Sequence, residues 1–317
     1  TPTAELSTDH NLTQLKAINN KISGELTLNT GAYDIDLDGS ASDVAAALDG
    51  TFAADYTGAV DLSDDHTIDQ LKTINSGTTG TITLHNVDVE LEGSTEDVKA
   101  ALAGDFAAGY TGDVILDDAN GEDIQATDIT AIEGGTTGTV TVSNNINLQG
   151  TATAVAAAVA DVNTFSGTPT AELSTAHDLA ELVAINNKIS GELTLADYDV
   201  DLEGSTADVK AALAGDFAAT YTGDVTLDDA NGEDIQATDI TTIEGDTDGN
   251  ITVSNNINIQ GTAEAVAAAV DDVNTFSGTP TAELSTDHNL TQLKAINNKI
   301  SGELTLNTGA YDIDLDG

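Results

Sequence analysis

Short runs in which apolar residues alternate with carboxylates recur along the whole chain. Ala4-Glu5-Leu6, Ile35-Asp36-Leu37, Val60-Asp61-Leu62 and Val89-Glu90-Leu91 place apolar side chains at every second position. That is the pattern of a strand in a sheet wet on one face. Gly24-Glu25-Leu26-Thr27-Leu28 predicts a further strand, with Leu26 and Leu28 on one side. Other segments have a different period. Leu12, Leu15 and Ile18 stand three apart, and Ile68, Leu71 and Ile74 repeat the spacing. Such spacing predicts short helices with one narrow buried stripe. Ser94-Thr95-Glu96-Asp97 reads as a helix start, with Ser94 as N-cap and a carboxylate in the first turn, where the helix dipole favours it. Val98 and Leu102 then share one face.

These elements repeat. The motif Thr-(Gly/Pro)-x-(Val/Ala)-x-Leu divides the chain into units 1–56, 57–110, 111–167, 168–221 and 222–278 and a partial unit 279–317. Thr279–Gly317 copies Thr1–Gly39 without change. Units starting at Thr1, Thr57, Thr168 and Thr279 form one type, and those at Thr111 and Thr222 a second. A weaker half-repeat lies inside each unit, with a strand, a helix and a Thr-Gly turn in each half. Periods of this size mean a solenoid, propeller or array. A last segment that copies the first favours an open array, and the chain is expected to be a window on a longer periodic polypeptide. The expected fold is an elongated α/β solenoid of stacked parallel strands with short flanking helices. A β-solenoid is the alternative. Each unit is too thin to bury a core alone, so stacking must do it. Tyr56, Tyr110, Phe165, Tyr221 and Phe276 precede successive units and are expected to stack as an internal ladder.

Composition narrows the function. The 317 residues hold 55 Asp+Glu against 8 Lys+Arg, a net charge of −47, with no arginine, cysteine, methionine or tryptophan. Nothing neutralises phosphates, which excludes nucleic-acid binding through a basic surface and adsorption to anionic membranes. Disulfides, thiolate zinc sites and cysteine nucleophiles are excluded as well. No apolar run approaches the roughly 20 residues of a membrane span, so membrane insertion is not expected. The chain shows no initiator Met and no signal peptide, as expected of a mature form or an excerpt. The charges repel one another, which favours solubility and costs stability unless cations screen them. The Debye length falls from about 10 Å at 0.1 M salt to about 3 Å at 1 M.

Acidity also raises the question of calcium, a hard cation that takes oxygen ligands. The candidate ligands are Asp117, Asp118, Asn120 and Asp123, with their counterparts Asp228, Asp229, Asn231 and Asp234. Both clusters surround an Asn-Gly pair that permits a sharp turn. No Glu stands where an EF-hand loop places its bidentate ligand, and a plain Asn-Gly turn before a helix is the competing reading. Asp34-Ile35-Asp36-Leu37-Asp38-Gly39 also imitates a calcium loop, but its alternation says strand. No other cofactor is expected. His10, His66, His177 and His288 hold one equivalent position before a helix and read as capping or surface residues, while His85 stands alone. Every notable residue recurs, whereas an active site is a unique concavity, so an enzyme is not expected. Thr81-x-Thr83 and Thr139-x-Thr141 imitate ice-binding ladders, but Glu25, Glu192 and Asn250 interrupt the row. Asn11-Leu12-Thr13, Asn250-Ile251-Thr252 and Asn289-Leu290-Thr291 are glycosylation sequons, two of them at positions that also suit a helix cap.

The run Thr127-Asp128-Ile129-Thr130-Ala131-Ile132-Glu133-Gly134-Gly135-Thr136-Thr137-Gly138-Thr139-Val140-Thr141-Val142 is followed by Leu148-Gln149-Gly150-Thr151-Ala152-Thr153-Ala154-Val155. This text resembles repeats in giant secreted surface proteins of marine cyanobacteria and other aquatic bacteria. The likeness runs through all units. Proteins of that class often carry glycine-rich nonapeptide calcium repeats, which are missing here. The resemblance implies secretion, great length and a structural or adhesive role at the cell surface, without catalytic residues. The expected function is therefore a segment of a giant extracellular polypeptide that self-associates into a filament, sheath or surface layer. The alternative is the stalk or binding region of a secreted adhesin, stabilised by calcium.

Overall fold

A computed structural model describes residues 1–307. The last ten residues of the partial unit 279–317 lie outside the described residues. The fold is α/β, with parallel sheets and eleven α-helices among the described residues. The chain forms two compact units. One comprises Thr1–Asn147 with Ala160–Thr168, and the other Leu148–Val159 with the chain from Pro169 onward.

In the first unit the helices are α1 (Leu12–Asn19), α2 (Ala41–Leu48), α3 (Ile68–Gly77), α4 (Thr95–Leu102) and α5 (Ala126–Glu133). Each packs on the next in sequence. Strands Leu37–Gly39, Val60–Leu62 and Ile82–Thr83 form one parallel sheet. Leu91–Gly93, Val114–Leu116, Val140–Val142 and Thr164–Phe165 form another. Parallel neighbours need a crossover connection, and here one helix supplies it each time. Leu37 faces Val60, 23 residues on, with α2 between them, and Val114 faces Val140, 26 residues on, with α5 between them. The inward residues are the predicted apolar ones: Leu37, Val60, Ile82, Val44 and Leu48 are all buried. Burying one such aliphatic side chain is worth about 1.5–3 kcal/mol.

In the second unit, α6 (Ala152–Asp161) begins within the part that starts at Leu148. After it come α7 (Leu179–Asn186), α8 (Thr206–Leu213), α9 (Ala237–Asp246), α10 (Ala263–Asp272) and α11 (Leu290–Lys299), and from α7 to α11 each packs on the next. Leu202–Gly204, Val225–Leu227, Ile251–Val253 and Thr275–Phe276 make one parallel sheet. Asp234–Gln236, Asn258–Gly261, Thr281–Leu284 and Leu304–Thr305 make a second.

The helix starts follow the capping chemistry of the sequence. Ser40, Ser94 and Ser205 cap α2, α4 and α8 by accepting from the N–H of Asp43, Asp97 and Asp208. Asn11 and Asn289, both sequon asparagines, form capping boxes with Gln14 and Gln292. Successive helices are tied by a second set of contacts. Lys16, Lys72, Lys99 and Lys210 pair with Asp43, Asp97, Asp128 and Asp239 in the first turn of the following helix. All four pairs are part exposed, so each is worth at most about 1 kcal/mol. The Nδ2 groups of Asn19, Asn75 and Asn186 donate to last-turn carbonyls of α2, α4 and α8, those of Ala47, Ala101 and Ala212.

The third strand departs from the expected position. Alternation places it at Ile35–Leu37 and Val89–Leu91, whereas the strands are Leu37–Gly39 and Leu91–Gly93. The carbonyls of Ile35 and Val89 accept tyrosine hydroxyls instead. The strand then runs on through a glycine that lies against a helix side chain. A Cβ on Gly39 would sit 2.4 Å from Leu12 Cδ2, and one on Gly93 2.9 Å from Ile68 Cδ1.

Candidate functional site

In the units starting at Thr1, Thr57 and Thr168 a histidine, a tyrosine and a phenylalanine come together in the same way. His10 Nε2 lies 3.1 Å from the Tyr56 hydroxyl, which donates to the Ile35 carbonyl at 2.6 Å. His66, Tyr110 and Val89 repeat this at 3.0 and 2.6 Å, and His177, Tyr221 and Val200 at 3.0 and 2.7 Å. Phe52, Phe106 and Phe217 pack against the three tyrosine rings. A hydroxyl has one proton, and the short bond to the carbonyl uses it. The imidazole must therefore donate from Nε2, which leaves Nδ1 as a bare acceptor. Nδ1 of His10, His66, His177 and His288 is buried with no protein donor among the described residues.

Two sequence expectations are corrected here. The histidines are not capping or surface residues, since all four are at most 6% exposed. Local sequence does not indicate this, because the tyrosines that receive His10, His66 and His177 lie 44 to 46 residues downstream. The once-per-unit rings do not form a ladder either. Each tyrosine contacts its own His and Phe, and no ring contact joins one tyrosine to the next among the described residues. Phe165 and Phe276 are only half-buried. His85 is exposed.

Burial pushes the imidazole pKa of His10, His66 and His177 below the ordinary histidine value, with nearby acids (Asp9, Asp65 and Glu181 respectively) opposing it. Burial, aided by neighbouring carboxylates, raises the Tyr56, Tyr110 and Tyr221 hydroxyls far above the usual phenol range. Both groups are thus held neutral. The unfolded chain protonates its histidines below about pH 6.5, so it binds more protons there than the folded chain. Stability is expected to fall as pH drops from about 6.5 and to level off below the depressed folded values. Nearer pH 4, neutralisation of the acidic surface acts in the opposite sense by relieving charge repulsion. Urea unfolding at pH 7.5 and 5.5 in constant salt measures the first effect, and equal stability at both would refute it.

The acidic turns have a structural use for most of their oxygens. Asp118 is buried, and its carboxylate accepts from the Thr95 N–H at 2.9 Å and the Thr95 hydroxyl at 2.6 Å, at the start of α4. Asp229 does the same with Thr206 at 2.9 and 2.5 Å, at the start of α8. Asn120 and Asn231 accept from the backbone N–H of Asn145 and Asn256, both at 3.0 Å. Asp123 and Asp234 accept from the side chains of Asn147 and Asn258, both at 2.8 Å. Gly121 and Gly232 adopt φ of 78° and 81°, a left-handed turn that glycine permits. Only Asp117 and Asp228 project into solvent without such a contact. Asp123–Gln125 and Asp234–Gln236 are strands that the sequence reading missed, each leading directly into a helix. Among the described residues no group of three or more His, Asp or Glu side chains is arranged to hold a metal ion.

Asp118→Ala should therefore cost about 2–3 kcal/mol, because it strips a charged acceptor from a buried N–H and hydroxyl. The loss should be the same in millimolar calcium and in chelator. Urea midpoints in both buffers check this, and a loss confined to the calcium buffer would make Asp118 a metal ligand.

No protein family matches the chain, and no curated protein matches it significantly. Among the described residues no helix is long and apolar enough to cross a membrane.

Proposed function

We propose that the chain is a segment of an α/β solenoid with a structural role, part of an extracellular repeat polypeptide that builds a surface filament, sheath or layer. One observation carries this reading. The side chains that recur from repeat to repeat make the same internal contacts each time. The His–Tyr–carbonyl bond appears three times with near-identical distances, and the helix-linking Lys–Asp pair four times. The His–Tyr bonds and the Lys16–Asp43 and Lys72–Asp97 pairs tie the two halves of one unit together, while Lys99–Asp128 and Lys210–Asp239 join one unit to the next, as in a stack whose stability is the sum of neighbour contacts. Parallel pairing at steps of 22 to 26 residues with one helix per step supports the same architecture. A surface that repeats at every step lets lateral contacts propagate. The large negative charge suits a polypeptide that works in salt high enough to screen it.

Electron microscopy of the chain in seawater-level salt tests the proposal, first with calcium and then with chelator. Ordered filaments or sheets in both conditions are expected. Assemblies that dissolve in chelator would make the exposed carboxylates, first Asp117 and Asp228, ion-bridged joints. Isolated particles in both conditions would contradict the structural-polymer reading.

A further inference from the structure

The helix pairs α1–α2, α3–α4 and α7–α8 occupy equivalent places in units of one type, yet they differ at one contact. In the first two, a lysine from the leading helix reaches the first-turn carboxylate of the next: Lys16 to Asp43, and Lys72 to Asp97. In the third, that lysine position is Val183, while the carboxylate remains as Asp208. Ala180 likewise stands where Thr13 stands in the first unit. A cleft of about 810 Å³ lies between α7, α8 and the strand Leu202–Gly204, with Ala180 and Val183 on its lining. Leu179, Val183 and Val200 line its apolar part, and Asp201, Glu203 and Asp208 are on its lining. These three acids are exposed, and none forms an ion pair among the described residues. Asp208 accepts only from Ser205, and Asp201 from the N–H of Asp224.

We propose that this cleft binds a lysine side chain presented by a partner polypeptide. The repeat itself shows the chemistry, because the equivalent carboxylates of α2 and α4 are met by lysines in cis. A lysine offers an alkyl stem for the apolar lining and an ammonium for the acidic rim, the two-part character that lets such side chains lie along apolar surface with the charge at the edge. Anionic groups would meet three unpaired carboxylates and be repelled. The chain's overall field also favours a cationic partner at long range. The site departs from the repeat, so it goes beyond the structural role and does not depend on assembly.

The test is a titration of the isotopically labelled chain, followed by amide NMR in 0.15 M salt, with Nα-acetyl-lysine N-methylamide as probe. Saturable shifts are expected at Leu179, Val183, Val200 and Asp208, and none from the norleucine analogue, which keeps the stem and lacks the ammonium. Val183→Lys should place the missing side chain in the cleft, abolish those shifts and leave the rest of the spectrum in place. Asp208→Asn should weaken binding several-fold. Three results would overturn the proposal. One is equal binding of the norleucine analogue. Another is shifts spread over the acidic surface and unchanged in the Val183→Lys chain. The third is binding of n-hexylammonium in the cleft with no binding of the lysine amide, which would make it a site for free amines.

Discussion

Gly112→Ala is expected to destabilise the protein by about 3 kcal/mol or more, the upper end of what overpacking costs. A Cβ at Gly112 would lie 2.0 Å from the Val89 carbonyl oxygen and 2.9 Å from Tyr110 Cε1. The obstacle is backbone, which cannot rotate aside as a side chain can. The same oxygen accepts the Tyr110 hydroxyl, so a shift that relieves the clash also stretches that bond. Gly58 and Gly223 face the Ile35 and Val200 oxygens at 2.0 and 1.9 Å, and they should behave alike. One step further along, a Cβ on Gly138 would fall 2.3 Å from the Gly112 oxygen, and one on Gly249 2.0 Å from the Gly223 oxygen. Gly109→Ala is the control, since nothing lies within 4 Å of its Cβ position. Urea midpoints of the two variants should differ clearly, with Gly109→Ala close to the parent. Equal midpoints would mean that the repeats do not approach this closely.

The second large effect is Tyr110→Phe. It removes one oxygen and leaves two groups unpaired, the buried His66 Nε2–H and the part-buried Val89 carbonyl. An unsatisfied buried group costs about 1–3 kcal/mol and a part-buried one less, so a loss of about 2–3 kcal/mol is expected. Adding His66→Leu should then cost less than it does in the parent, because its partner is already gone. A coupling of at least about 1 kcal/mol between the two sites is the expected outcome of the double-mutant cycle. Additive losses would remove the hydrogen bond from the account of stability.

Much of this fold is legible in the sequence because its period is local. Leu15 and Ile74 follow the three-residue stripe and are fully buried in α1 and α3, and Ser94 caps α4 as its side chain suggests. The Thr-Gly turns are also visible, and their glycines are fixed by backbone meeting backbone. What stayed hidden acts across a repeat. Nothing near His66 in sequence indicates that it bonds Tyr110, and the strand at Leu91–Gly93 is displaced because Val89 serves that tyrosine. The bond between Asp118 and the start of α4 is equally hidden, because its partner, Thr95, lies 23 residues upstream. The cleft beside Val183 is hidden too, since the sequence shows a valine where α1 and α3 carry Lys16 and Lys72 but not the space around it.

In the proposed architecture every repeat adds the same layer to an open stack. Inserting one further 278-residue period, which the identity of Thr1–Gly39 and Thr279–Gly317 allows without a new junction, tests it by small-angle X-ray scattering. The account predicts an unchanged cross-section and a radius of gyration that grows nearly in proportion to chain length. A compact body would grow only by about 1.3-fold, following the weak size scaling of globular domains, and that result would contradict the stacked architecture.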